Sequence, residues 1–378
     1  MNQFDTIEDV ARKLSPSYPV FCVRPHILRQ DAQEFMTLFP GRVLYAVKCN
    51  PHPLVMDSLY EAGIRHFDTA SLTEVADARN RYPNADVYFM HPVKARASIV
   101  SASRVYGVHV YAVDDMVELH KILEATEGEE IAIVCRVACS GDDVVYNLSA
   151  KFGATPDEAV EILKTAEAEG CQTGLCFHVG SQCTRPEAFE DALKTVGEVL
   201  DKAQVEIKFL DVGGGFPSRY IGAEIPPLSA YVQAIENGIS KLNLRRDCVV
   251  MCEPGRALVA QGMSLLTQVL LRKGDKLYIN DGVYGGLQET VAGGMDYPVR
   301  LIRPDKDCSS RMTRFSIYGP TCDSLDVLPK PMTLPDDIRE GDWIEISSLG
   351  AYSNAVRTQF NGFYPDTFVQ VNDSTIVE

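Results

Sequence analysis

Between about residues 18 and 260 the chain alternates between short apolar runs and longer charged stretches whose apolar residues recur at helical spacing. The apolar runs are YPVFCV, RVLYAV, ADVYFM, HVYAV, EIAIVCRV, TGLCFHV, KFLDVGG and CVVMCEPG; LVMDSLYEAG, MVELHKILEA and PDEAVEILKTAEAEG are typical of the stretches between them. Strand then helix, repeated seven or eight times, predicts a parallel sheet, because each crossover helix returns the chain to the same end. At this length a closed (β/α)8 barrel is the economical solution, with an open doubly wound sheet as its competitor. The barrel is preferred because the unusual residues fall just after strands, where closure gathers them on one face. Beyond residue 262 the texture changes to strands and turns such as RFSIYGPTC and DWIEISSLGAY, which predict an antiparallel β domain. The expected division is a barrel over 20–262 and a β domain over 263–378, joined by the N-terminal segment 1–19.

Composition narrows the class. The chain has 378 residues with 46% hydrophobic content, enough for a large core. No apolar stretch approaches the ~20 residues that span a bilayer. The N-terminal MNQFDTIEDVARKL is acidic and polar where a signal peptide is basic and then apolar, so a cytoplasmic protein with no membrane partner is expected. The eleven cysteines are scattered, several inside apolar runs, and read as reduced, buried thiols. Cys135 with Cys139, and Cys248 with Cys252, lack the two-residue spacing of a zinc knuckle, so no metal is expected. A net charge of −16 argues against nucleic acid and favours a cationic small substrate.

Chemistry-bearing residues sit at the ends of the apolar runs. In YAVKCNPHP, Lys48 closes a strand that Pro51 and Pro53 cannot continue. It is either a solvated strand-end residue or an amine whose pKa desolvation lowers until it is a nucleophile. In DVGGGFP, Gly213, Gly214 and Gly215 leave backbone N–H groups uncovered for an anion, or simply make a tight turn. EPGRALVA sets Glu253 and Arg256 after VVMC, as a salt bridge with each other or as separate contacts to a ligand. FHVGSQC presents His178 and Ser181, a strand-end histidine being more often a packing residue than a catalyst. YGPTCDSLDVL carries Cys322 and Asp323 on a turn outside the barrel, and GAYSNAVRTQFNGF offers Tyr352 and Phe360. Together these supply an amine, an anion cradle, a buried acid, a flat ring and a thiol. Pyridoxal 5'-phosphate needs that set: a lysine for its carbonyl carbon, a glycine turn with Arg for its phosphate, and a carboxylate for its pyridine nitrogen.

The motifs YAVKCNP, FDTAS, LSAKFG, FHVGSQ, DVGGGFP, EPGR, GPTCDSLDVL and GAYSNAVRTQFNGF occur in this order over nearly the whole chain. In them the sequence resembles the fold-type III, pyridoxal-phosphate-dependent ornithine/lysine/arginine/diaminopimelate decarboxylases, most of all the short bacterial ornithine decarboxylases. The resemblance implies an alanine-racemase-like TIM barrel with a C-terminal β domain. It implies that Lys48 is the Schiff-base lysine, that His178 stacks on the cofactor ring, and that Glu253 meets the pyridine nitrogen. Gly213, Gly214, Gly215, Gly255, Arg256, Ser181 and Tyr352 are implied to hold the cofactor, mainly its phosphate, with Asp68 and Arg136 as supporting groups. Cys322 is implied to protonate the product carbanion and Asp323 to pair with the substrate's distal ammonium, alongside Tyr284, Glu289 and Phe360. In this family the cysteine turn serves the neighbouring subunit, so a head-to-tail homodimer with shared active sites is implied. Alanine-racemase-like relatives generally oppose the pyridine nitrogen with Arg, so Glu253 favours decarboxylation.

The substrate implied first is L-ornithine, giving putrescine, a polyamine, and CO2, with lysine, arginine or another amino acid as alternatives. Asp323 points to a simple diamino acid, since diaminopimelate enzymes usually carry Glu there. The second specificity segment departs from the family: YGGLQETVAGGMDYP has Ala292, Gly293 and Gly294 where an acidic pair is expected, with Glu289 or Asp296 able to compensate. A non-catalytic regulatory homologue is the reading from another class; such proteins tend to lose the lysine or the thiol, and both are present. Arg24 stands where relatives usually show Asp, and the sequence gives no reason for it.

Overall fold

The computed structural model describes residues 2–139 and 151–376; Leu148, Ser149 and Ala150 of the LSAKFG motif lie outside the described residues. Two strands precede the barrel, β1 (Gln3–Phe4) and β2 (Val20–Val23). The barrel strands are β3 (Arg42–Ala46), β4 (His66–Thr69), β5 (Asp86–Phe89), β6 (Val110–Val113), β7 (Ala132–Arg136), β8 (Gln172–Cys176), β9 (Phe209–Asp211) and β10 (Val249–Cys252). All pairings are parallel, and β10 returns to β3, so the sheet closes on itself. Alternation along each strand divides the side chains. Leu44, Tyr88, Ala112, Val134, Cys176, Phe209 and Met251 form one cluster, while their neighbours Tyr45, Phe89, Val113, Cys135 and Cys252 join the core shared with the helices. Those helices follow from their patterns. Pro156–Ala168 begins with a Thr155–Glu158 capping box and buries Ala159, Ile162, Leu163 and Ala166, one stripe at helical period.

The rest of the chain builds a nine-stranded sheet from β1, β2, β11 (Met263–Lys273), β12 (Lys276–Ile279), β13 (Val299–Ile302), β14 (Met312–Tyr318), β15 (Met332–Pro335), β16 (Trp343–Ile346) and β17 (Thr367–Val371). Two expectations are corrected here. The run at 18–23, read as opening the barrel, supplies β2, which pairs with β11 and β17 instead. The sheet is mixed and not antiparallel, for β17 runs parallel to both β1 and β2, and β12 parallel to β14. These partners are far apart in sequence, so no tight hairpin dictates their direction. Barrel and sheet share one hydrophobic core, in which Tyr45 and Phe67 belong with Val269 and Ile346. No described helix is long and apolar enough to cross a membrane, and no disulfide joins the described residues.

The sheet also explains Arg24. Its side chain is fully buried at the end of β2, where Nε donates to Asp373 Oδ1 at 2.9 Å and Nη2 to Glu345 Oε1 at 2.9 Å, while Nη1 donates to Ser264. Arg300 donates to the other oxygen of Glu345 at 2.6 Å. Planar guanidinium geometry thus ties the N-terminal strand, β11, β16 and the C-terminal tail together. Removing one partner leaves a buried carboxylate short of donors. Arg24→Met is therefore expected to lower unfolding stability by about 3 kcal/mol in urea titrations, with the change in midpoint and not in slope.

Candidate active site

Barrel closure brings the ends of separate strands to one opening. Lys48 sits in the 3-10 turn Val47–Cys49 directly after β3, Asp68 in β4 and Arg136 at the last position of β7. His178 and Ser181 follow β8, Glu253 follows β10, and Arg256 starts the short helix Arg256–Val259. These seven, with Tyr352, Glu289, His91, Phe152, Gln288, Ala292 and Val356 among others, line one cavity of about 390 Å³. Tyr352 reaches it from a left-handed backbone conformation (φ 49°), fixed by its N–H donating to Cys49 O at 3.0 Å.

Charge balance defines the centre. Lys48 Nζ donates to Asp68 Oδ2 at 2.6 Å, and 42% of the lysine side chain is accessible while the aspartate side chain is 1% accessible. Burial alone pulls the ammonium's pKa down, as the sequence suggested, but Asp68, Glu253 and Tyr352 outweigh it and the net shift is upward. The expectation of a lysine made nucleophilic by desolvation is therefore corrected: the free amine must first be relieved of its anions. Glu253 is pushed well up by burial, with Asp68 and Asp211 adding to the push. His178 is held neutral by burial and by Arg136 and Lys48, and its Nδ1 accepts from Gly180 N–H at 3.0 Å. That acceptor role puts the imidazole proton on Nε2.

The glycine turn is a close-approach device. A Cβ on Gly214 would stand 2.7 Å from Glu253 O and 2.9 Å from His178 Nε2, and Gly213 (φ 68°) lies against Phe177 O. The N–H of Gly213 is spent on Asp211 Oδ1 at 2.8 Å, so it is not free for an anion. None of Gly213, Gly214, Gly215 and Gly255 lines the cavity with a side chain's worth of surface; they let His178, Glu253 and the Cys49 turn come together. Arg256 and Glu289, expected in separate roles, form a buried bidentate pair at 2.6 and 2.9 Å. Arg256 also donates to Tyr220 Oη at 2.8 Å and to Ser181 Oγ at 3.3 Å, and its Nε meets no acceptor among the described residues.

The other predicted residues form a second group. Cys322, Asp323, Tyr284 and Phe360 do not line the cavity. The exposed Cys322 donates through both its N–H and its thiol to Asn361 Oδ1, each at 3.0 Å. The Tyr284 hydroxyl donates to Asp323 Oδ2 and, with Leu325 N–H, holds that carboxyl below the usual range. The Tyr284 and Phe360 rings lie 4.8 Å apart. Asp326, which the sequence did not single out, knots this turn by accepting from Val283 N–H, Thr321 N–H and Thr321 Oγ at 2.7–3.0 Å. His91 was also missed, although HPVK follows an apolar strand as the other motifs do; Lys94 anchors that loop to Ala112 O at 2.6 Å.

A strand-end lysine, a neutral histidine and a buried acid meet at the mouth of a closed barrel. The family model "Pyridoxal-dependent decarboxylase, pyridoxal binding domain" matches residues 26–260, and the chain belongs to that family. It is 31% identical over 376 residues to a lysine/ornithine decarboxylase of Selenomonas ruminantium, covering 96% of this chain and 93% of that one. Its fold matches the arginine decarboxylase of Paramecium bursaria Chlorella virus, solved with agmatine, at a TM-score of 0.86 and 27% identity over 97% of this chain and 99% of that one. The lysine/ornithine decarboxylase of Vibrio vulnificus, solved with putrescine, matches at 0.84 and 28% identity over 97% of both chains. The protein is accordingly a pyridoxal-phosphate-dependent carboxy-lyase. The donor set suits the cofactor: an amine, a buried carboxyl deprived of solvent, and an Arg256 Nε without an acceptor near Ser181 and Tyr352.

Removing the anion beside Lys48 has a signed consequence. In Asp68→Asn the lysine loses its nearest negative charge, so its pKa falls and the amine is uncharged at lower pH. Acylation of Lys48 by an amine-reactive ester in cofactor-free protein, followed by peptide mapping, is expected to shift its pH midpoint down by about 1–2 units.

Proposed function

We propose that the protein decarboxylates a basic L-amino acid, with L-ornithine preferred and putrescine and CO2 as products. The observation that carries the reading is Lys48 held by Asp68 in a cavity that also holds Glu253 and His178 and is walled by apolar side chains. Lys48 would hold the cofactor covalently, His178 would face its ring, Glu253 its ring nitrogen, and Arg256, Ser181 and Tyr352 its phosphate. When bound, pyridoxal phosphate supplies the electron sink for the pair released as the carboxylate leaves. Met90, Pro92 and Phe152 give the cavity wall an apolar surface, and a carboxylate set against it would be desolvated, which favours the neutral product CO2. Cys322 gives its thiol proton to the substrate's α-carbon, and the ionised Asp323 pairs with the distal ammonium. Because both lie outside their own chain's cavity, a second copy brings them in, and the working unit is a homodimer with two shared sites.

The names of the relatives support a basic substrate, since they include ornithine, lysine and arginine decarboxylases. Lysine is the second reading. Ala292 lines the cavity and Gly293 and Gly294 follow it, small residues that would leave space for a longer side chain.

Purified protein with the cofactor, offered L-ornithine, L-lysine and L-arginine separately, is expected to yield putrescine with the highest kcat/KM by mass spectrometry. Cadaverine as the dominant product would replace ornithine with lysine. Lys48→Ala and Cys322→Ala are each expected to lose nearly all activity. Mixed and reassorted, they should regain about a quarter of the wild-type rate, since half the dimers then carry one intact site. No recovery would overturn the shared site.

A further inference from the structure

Behind Glu253 lies an acid that the proposed mechanism leaves without a task. Asp211 ends β9 and is completely buried. Its Oδ1 accepts from Gly213 N–H at 2.8 Å, but its Oδ2 has no N–H or O–H donor among the described residues. Met251 on β10 pairs with Asp211, and two residues on, Glu253 N–H donates to Gly213 O at 2.8 Å, which sets the Glu253 carboxyl beside the Asp211 carboxyl. Two carboxylates have only acceptors, so this contact is a hydrogen bond only when one of the two carries a proton. A buried oxygen with no other partner makes the unprotonated pair costly.

The surroundings point the same way. Asp68 on β4 adds a third negative charge, and the Cys176 and Cys252 thiols near the pair and the Tyr88 hydroxyl near Asp211 are all driven towards their neutral forms, first by burial. Lys48 and Arg136 are the cations that oppose this. Burial, with Asp68 adding, carries Asp211 up to about 7, and burial, with Asp68 and Asp211 adding, pushes Glu253 well above the usual carboxylate range. One lysine already committed to Asp68 and one arginine do not balance three buried anions.

We propose that Asp211 is a positioning residue for Glu253: the two carboxyl groups share one proton, and the pair meets the cofactor's ring nitrogen as a singly charged unit. The inference rests on the reading that Glu253 faces that nitrogen. Without the cofactor, Glu253 holds the proton and donates to Asp211. Opposite a protonated ring nitrogen, the Glu253 O–H bond breaks and the proton is taken by Asp211 Oδ2 within the same hydrogen bond, so no proton is gained or lost. Asp211 then donates to the Glu253 carboxylate, which lowers its basicity and leaves the ring's proton on the ring.

Asparagine separates this role from a merely structural one. Its carbonyl can still accept from Gly213 and its amide can still donate to Glu253, but it has no acid proton. Infrared difference spectra of cofactor-loaded protein at about pH 8, where ordinary carboxyls are ionised, are expected to show a deuterium-sensitive carboxylic acid band in the wild type. Asp211→Asn should lose the band yet keep cofactor affinity within a few fold, whereas Asp211→Leu should weaken affinity about tenfold or more. A wild type without the band, or an Asp211→Asn as weak in affinity as Asp211→Leu, overturns the shared proton. Should Asp211→Leu not fold, the band and the affinity of Asp211→Asn still decide. Glu253→Gln tests the underlying reading separately: an unchanged visible spectrum of bound cofactor would remove Glu253 from the ring nitrogen, whatever the band shows.

Discussion

Lys48 and Asp68 stand 2.6 Å apart at the barrel's opening, with Glu253 and Asp211 behind them, and this concentration of charge out of bulk water is what the surrounding structure has to accommodate. An ion pair in such a place survives only where geometry is fixed and remaining lone pairs are served. Closure of eight strands provides the geometry, because residues from β3, β4, β7, β9 and β10 are held by continuous ladders on both sides. An open sheet would leave its first and last strands without that restraint. The neutral His178, fixed by Gly180 N–H, adds a flat group to the site without adding charge.

The second constraint joins the sheet to the barrel. Arg256 comes from the barrel end of the chain and Glu289 from the short helix Glu289–Ala292 beyond β12, and their bidentate contact is buried at the cavity wall. Nearby, Asn50 after the lysine turn donates to Gly350 O at 2.8 Å and accepts from Asn354, which sets the segment carrying Tyr352 against the barrel. The cavity is thus a product of both parts. Cys322 and Asp323 belong to another surface of the same chain, shaped by Asp326 beneath the turn and by Asn361 opposite the thiol. One chain therefore carries two separate clusters of the predicted residues, each with its own hydrogen-bonded support.

The barrel was legible because strand-helix alternation is a local pattern repeated many times, and the residues of YAVKC, FDTAS, FHVGS and EPGR were legible because each follows an apolar run. Errors arose where partners are distant. β2 reads like the barrel strands in composition, yet it joins β11 and β17, and nothing in its four apolar residues distinguishes the two sheets. Arg24 made no sense in sequence because Asp373 and Glu345, its partners, lie more than 300 positions away. Asp211 was in view in DVGGGFP but was not singled out, since the Glu253 beside it follows the next strand, more than forty positions on.

The sequence by itself determined the element types, the closed parallel architecture, the family and the identity of most groups around the cavity, because periodicity, turn chemistry and motif order are properties of neighbouring residues. Only the tertiary structure decided what those groups do to one another. Lys48 is charged up by its neighbours although burial alone would lower it, Arg256 is already engaged by Glu289, and Cys322 stands apart from the cavity. Each of these depends on a distance of a few ångströms between residues from different elements, and Coulomb and hydrogen-bond energies are set by that distance and by burial, neither of which the order of residues specifies.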